Sequence, residues 1–255
     1  EGEPRSYSED ARLCELAILE TSAPDHDLVL AIPETRLAQH DRIRHPDLPF
    51  EVRVIEYWPN STHRPIEPGH GSAQATQGAG QRVQFVSAAP EMRMDRRNIP
   101  AAYVELVAPG GSLGVWAVSL WIDANQGFQH EGKNYEIVMR PARYYRPFSL
   151  ELRKFSHDRY AGSDIPRNFS SDVRLINART GENRDVRIYM NNPLRYGGET
   201  FYQSGYDQQD PRVTILQVVR NPGWLTPYFS CALVGLGLVV QFLGHLVSFV
   251  KRKDP

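Results

Sequence analysis

His245 and Gln241 stand one helical turn apart in residues 228–250 (YFSCALVGLGLVVQFLGHLVSFV), a run with no Asp, Glu, Lys or Arg. An ionisable side chain at membrane depth can relay a proton, hydrogen-bond a neighbouring helix or ligate haem iron. His245 also lies about two turns from the basic end of the run, where it reads equally as an interfacial packing residue. Other constellations are missing from the sequence. It has no phosphate-binding glycine loop, no zinc-protease helix, no nucleophile elbow and no C-x-x-C pair. Of the eight histidines, seven fall before residue 220. His40 and His45, and His63 and His70, are close in sequence but sit in Pro/Gly-rich segments without a paired ligand motif. They read as solvated loop residues or, alternatively, as isolated metal or haem contacts.

The elements that must position these groups follow from hydropathy and charge. At about 1.5 Å rise per residue the run is long enough for a hydrocarbon core of about 30 Å, so one transmembrane helix is expected over 224–250. At about 100° per residue, Cys231, Gly235, Gly237, Gln241, Gly244 and His245 share one half of the helical wheel. Leu236, Val239, Val240, Leu243, Leu246 and Val247 fill the other half. A face of small and polar residues is what helices use to pack in a bilayer. Gly237, Gln241, Gly244 and His245 are therefore partner-contact candidates. Lys251, Arg252 and Lys253 follow at once, as a basic tail over 251–255. Basic residues stay cytoplasmic, which places 1–220 outside the membrane and the C-terminus inside. Trp224 and Tyr228 fall where an aromatic belt would anchor the outer interface. Residue 1 is Glu, so a longer chain with an upstream export signal is expected.

Residues 1–220 read as mainly β: antiparallel, sandwich- or barrel-like. Phe50, Val52 and Val54 alternate with Glu51 and Arg53, and the pattern slips at Ile55-Glu56. Segments 113–122, 135–139, 148–155, 173–176, 186–190 and 213–219 continue in the same style, many with a charge at every second position. Residues 13–19 fit strand or helix. Residues 59–81 are rich in Pro, Gly, Ser and Gln and read as a long flexible loop, inserted into one domain or separating two sub-domains. The net charge of −1 argues against nucleic acid as a partner. Cys14 and Cys231 are placed too differently to pair, so the exported part is expected to lack a disulfide, as suits a bacterial envelope protein.

One motif remains. Residues 165–207 contain IPRNFSSDVRLIN and then VRIYMNNPLRYGGETFYQSGYD, followed by LQVVRNPGW and the apolar run. Locally, Asn191-Asn192-Pro193 and Gly197-Gly198 are turn chemistry bracketing 194–196. Phe201, Tyr202 and Tyr206 supply aromatic surface, and neighbours 201 and 202 must face opposite sides of a strand. The order of these segments resembles the ResB family of cytochrome c biogenesis proteins, of the two-component (system II) haem-attachment pathway. Residues 45–61 (HPDLPFEVRVIEYWPNS) are similar to an earlier part of the same domain in some members.

The resemblance implies a subunit of a cytochrome c synthase complex in the bacterial inner membrane. Such a subunit is accessory rather than catalytic in itself, and has a periplasmic domain and haem carried by the complex. A ResC/CcsA-like membrane subunit and apocytochrome c are the implied partners. On that reading Tyr202 and Tyr206 are contact candidates, and Arg195 is available for a haem propionate. The family's intramembrane haem histidine would precede residue 1, so that role is not carried to His245, which stays a cofactor candidate by residue type alone. The competing class is a membrane-anchored periplasmic binding or sensing module without a catalytic role.

Overall fold

The computed structural model describes residues 2–66, 74–93, 96–159, 166–206, 210 and 213–252. Ile165 and Asp207, at the ends of the motif segment, and His70 and Lys253 lie outside the described residues. The chain divides into two compact units, Tyr7–Tyr145 and, formed from both ends, Glu1–Ser6 with Arg146–Pro255. The described residues of the segment 59–81 lie within the first.

The strands of the first unit are β1 (Pro4–Glu20, begun in the other unit), β2 (Leu28–Pro33), β3 (Arg42–Ile43), β4 (Glu51–Trp58), β5 (Ser61–Pro65), β6 (Val83–Ser87), β7 (Ala101–Ala108), β8 (Gly111–Ser119), β9 (Gln126–His130) and the first part of β10 (Lys133–Arg159). Residues 13–19 thus resolve as strand: the β1–β2 hairpin pairs Glu15 with Pro33 through to Glu20 with Leu28. β3, β4, β7 and β8 form a second antiparallel sheet. Leu16 and Ile18 of β1, Tyr135 and Ile137 of β10, Val52 and Val54 of β4, and Val104 and Leu106 of β7 share one core. β7 (AAYVELVA) is buried on both faces. Its other side gives Ala101 and Tyr103 to a satellite core with Phe85 and Ala117. There the Tyr103 hydroxyl accepts the Phe85 N–H at 3.1 Å, so the phenol is buried without an orphaned oxygen.

The slip at Ile55-Glu56 is a β-bulge: the β4–β7 register shifts between Val54 and Glu56. An extra residue there returns Tyr57 to the inward side. Residues 59–81 differ from a plain loop. They contain β5, paired residue for residue with β6 from Ser61↔Ser87 to Pro65↔Val83, and a 3₁₀ turn over Gly78–Gln81. β5 exposes every residue but Ser61, so it carries no alternation that would mark it in the sequence.

The second unit holds the rest of β10, β11 (Pro166–Asn177), β12 (Glu182–Tyr189), β13 (Leu194–Tyr196), β14 (Glu199–Tyr206) and β15 (Thr214–Val219). β10, β11 and β12 make one antiparallel sheet, and β13, β14 and β15 another. Phe148, Val173, Leu175 and Ile188 from the first sheet meet Leu194, Phe201, Leu216 and Val218 from the second. This is a small sandwich, within the sandwich-or-barrel expectation. On its polar face, Asp172 sits opposite Arg187 and Arg174 opposite Asp185. Both pairs are two-bonded, with Nε contacts of 2.7 and 2.9 Å. The guanidinium hydrogen bonds hold both carboxyls below the usual range. A depressed folded pKa means the stabilisation is present above the ordinary Asp value of about 4 and is lost as pH falls through the folded value. An acid titration of unfolding should therefore show wild type losing part of its margin below about pH 4, and Arg174→Gln/Arg187→Gln losing less over that interval.

The C-terminal helix runs Thr226–Lys251. Pro227 stands in its first turn, where a missing N–H costs nothing, and Lys251 in the last turn complements the dipole. It is long and apolar enough to cross a membrane, and none of its most apolar stretch is buried against the protein. The architecture is therefore mostly antiparallel β with one apolar C-terminal helix that can span a bilayer.

Candidate functional site

The segment 189–206 folds as two successive turns. Tyr189 and Asn192 exchange backbone hydrogen bonds of 3.3 and 2.9 Å, with Asn191 at φ 65°, a conformation asparagine tolerates better than most residues. Tyr196 then pairs with Glu199 across Gly197-Gly198, whose φ values are 61° and 80°. Two positive φ angles in a two-residue hairpin define the tight turn that matches strand twist. Gly197 has a second reason: a Cβ there would stand 3.0 Å from the Phe148 ring.

Alternation in β13 and β14 then sorts the side chains. Leu194 and Phe201 face the sandwich core; Arg195 and Tyr202 face outward. Phe148 meets Tyr196 at 4.8 Å and Phe201 at 6.0 Å, both edge to face. Arg146 forks onto Glu199, with Nη2 to Oε1 at 3.1 Å and a second bond from Nε to Oε2, and its guanidinium lies over the Phe201 ring. The Tyr196 hydroxyl accepts from Asn177 Nδ2 at 2.8 Å and donates to Glu182 at 2.7 Å. Arg184 first, and this tyrosine second, hold the Glu182 carboxyl below its usual value. Around these groups lies a depression of about 280 Å³ lined by Arg146, Phe148, Asn177, Tyr196, Glu199 and Arg220, among others.

Of the residues singled out from the sequence, Tyr202 is exposed on the outer face. Tyr206 instead stacks on Phe155 and meets Phe169 at a tilt, with centroids 5.5 Å from each, so much of its ring is spent on packing. Gly237, Gln241, Gly244 and His245 lie on the exposed C-terminal helix. Among the described residues, the side chains of Arg195 and His245 make no hydrogen bond, ion pair or ring contact, with each other or with a neighbour. Sequence reasoning missed Arg146, Asn177 and Glu199. Arg146 and Glu199 are 53 positions apart, and nothing local marks either as the other's partner.

Among the described residues no group of three His, Cys, Asp or Glu side chains could hold a metal. A haem site needs an axial ligand above an apolar cleft. Arg195 lies on an open sheet face, and no second element covers His245 on its helix. The described residues do not by themselves fit haem. Both cysteines are free. Cys14 is buried with Arg97 Nη2 3.4 Å from its sulfur. Burial pushes its thiol up despite that cation, which leaves a structural thiol and not a nucleophile.

Such a β-rich body, closing on an N-N-P-x-x-Y-G-G hairpin and leading to an apolar helix that can cross a bilayer, points to a membrane-associated protein. A family model described as the ResB-like family matches residues 107–215, and the resemblance drawn from the motif is borne out. The matched stretch includes the hairpin but not residues 45–61 or the C-terminal helix. Protein NrfI of Wolinella succinogenes is 35% identical over 131 residues, which is 51% of this chain and 14% of that protein. The chain therefore spans only a small part of the length of this relative.

Proposed function

We propose that the chain is the ResB-like component of a cytochrome c synthase complex in the bacterial inner membrane. It supports haem delivery and attachment to apocytochrome c outside that membrane. The observation that carries this reading is the ResB-like match across the 194–206 hairpin. In it, residues 1–220 are extracytoplasmic and hold the acceptor protein, and the complex, rather than this chain alone, carries haem. The C-terminal helix packs on a ResC/CcsA-like subunit through Gly237, Gln241, Gly244 and His245. Glycines allow close backbone approach between helices in lipid, and a histidine in that face makes an interhelical hydrogen bond.

The test is purification of the complex from membranes, with the ResC-like subunit and the haem absorption spectrum as readouts. Gly237→Leu and Gly244→Leu should each lower recovery of the ResC-like subunit several-fold, while Leu243→Ile on the opposite side leaves it unchanged. Failure of the wild-type chain to recover that subunit or haem would sink the proposal and favour a sensing or binding module. Unchanged recovery with both glycine variants would remove the helix face from it.

A further inference from the structure

The three-stranded sheet β13-β14-β15 buries one face and leaves the other open. Register fixes what the open face carries. Arg195 pairs with Thr200, Thr200 with Val219, and Tyr202 with Gln217, while Ile215 opposite Gly205 continues the row beyond a bulge. Tyr202, Ile215 and Val219 are among the exposed large apolar residues, and Ile215 is 50% exposed. The inward alternates Leu216 and Val218 belong to the sandwich core, so Ile215 and Val219 are surplus to it. No Asp or Glu lies among the described residues of that open face; its one charge is the Arg195 guanidinium. Aliphatic side chains, a tyrosine and a cation on one flat surface, without acids, are the composition of a surface that rests in a headgroup region.

The position of the sheet in the chain chooses the occupant. β15 leads directly into the apolar helix. Val219 and Trp224 are five positions apart, a reach of at most about 18 Å fully extended. Thr226 N–H closes a turn on Gly223 at 3.0 Å, which shortens the link. Trp224 and Tyr228 sit one turn apart, rings 6.2 Å from centre to centre, where the helix would leave the bilayer. We propose that the open face of β13-β14-β15 docks on the lipid surface itself. Tyr202, Ile215 and Val219 enter the interface, and Arg195 meets anionic headgroups. This extends the aromatic anchor at Trp224 and Tyr228 into a two-dimensional contact, and it fixes the hairpin relative to the membrane. The proposal rests on reading 226–251 as a membrane span.

The experiment uses the full chain in nanodiscs of phosphatidylcholine with phosphatidylglycerol, with Cys231 replaced by Ala and one spin label at a time. Labels go at Gln217→Cys on the open face, at Thr180→Cys in the exposed β11–β12 turn, and at Leu243→Cys in the helix. Oxygen, which concentrates in lipid, and a water-soluble nickel chelate are the relaxing agents. The expected result is a 217 label with nickel accessibility several-fold below that at 180 and oxygen accessibility above it. Adding Arg195→Glu with Ile215→Glu should return 217 to the level of 180. Equal accessibility at 217 and 180 overturns the proposal. Protection of 217 from both agents also overturns it and assigns the face to a protein contact. The 243 label separates the two readings. Oxygen-accessible and nickel-protected at 243 with 217 in water leaves the span standing and refutes only the docking; nickel-accessible at 243 refutes both.

Discussion

Phe201→Ala is expected to cost about 3–5 kcal/mol of stability in the second unit, the range for truncating a buried phenylalanine. Tyr202→Ala, one residue on, should change stability by less than about 0.5 kcal/mol. Phe201 is 3% exposed. It meets the Phe148 ring edge to face and pairs across the sheet with Val218 on one side and Leu194 on the other. Its removal leaves a void in a core of few large residues, with Arg146 losing the ring beneath its guanidinium. Tyr202 is 41% exposed. Amide hydrogen exchange across β11–β15 should report the difference, with faster exchange throughout the sandwich for Phe201→Ala only. Equal, large losses at both positions would mean that both faces of β14 are interior. Recovery of the ResC-like subunit, read in parallel, separates a stability defect from a contact defect.

This pair of neighbours also shows what the chain discloses without coordinates. Period-2 alternation is a property of the backbone, so the opposite placement of 201 and 202 was legible. So were the bulge at Ile55-Glu56 and the inward set of β4. The apolar helix was legible because length and absence of charge are sufficient signs. Three things were not. Residues 135–139 and 148–155 read as separate strands, whereas the structure gives one strand range, Lys133–Arg159, that runs through Pro141 and Pro147 although proline removes a ladder donor. β5 was hidden because it is exposed and so has no apolar period. The limits of the two compact units carry no mark in the sequence, because they fall inside β1 and β10. At the candidate site, the hairpin turns were visible in Asn191 and Gly197-Gly198. The fork of Arg146 on Glu199 was not, since ion pairing between distant strands depends on a fold that alternation alone does not determine.

The same limit hides the charge pair with the largest expected effect in the first unit. Glu15 sits in CELAILE and Arg140 in EIVMRPAR, and nothing local distinguishes them from other strand charges. Yet Cys14 to Leu19 are all buried. Leu16 and Ile18 face the main core, while Ala17 and Leu19 lie in a small cluster with Val138. Alternation puts Glu15 on that second face, and Arg140 follows Val138 on its own strand. Glu15 and Arg140 are 6% and 7% exposed. Arg140 Nε donates to Glu15 Oε1 at 2.9 Å, and the Arg143 N–H reaches Oε2 at 3.3 Å. Removing either partner strands a charge away from water. Arg140→Met or Glu15→Leu alone should therefore cost about 3–5 kcal/mol. The double replacement removes both desolvation costs together and should restore stability to within about 1 kcal/mol of wild type. Urea unfolding read by tryptophan fluorescence in a Trp224→Phe background isolates this unit, because the other three tryptophans, Trp58, Trp116 and Trp121, all lie within Tyr7–Tyr145. A double variant as unstable as the sum of the singles would show that the two side chains do not act on each other. The strong coupling expected here would show that the pair's mutual attraction about offsets its desolvation, so that an apolar pair fills the same place at equal stability.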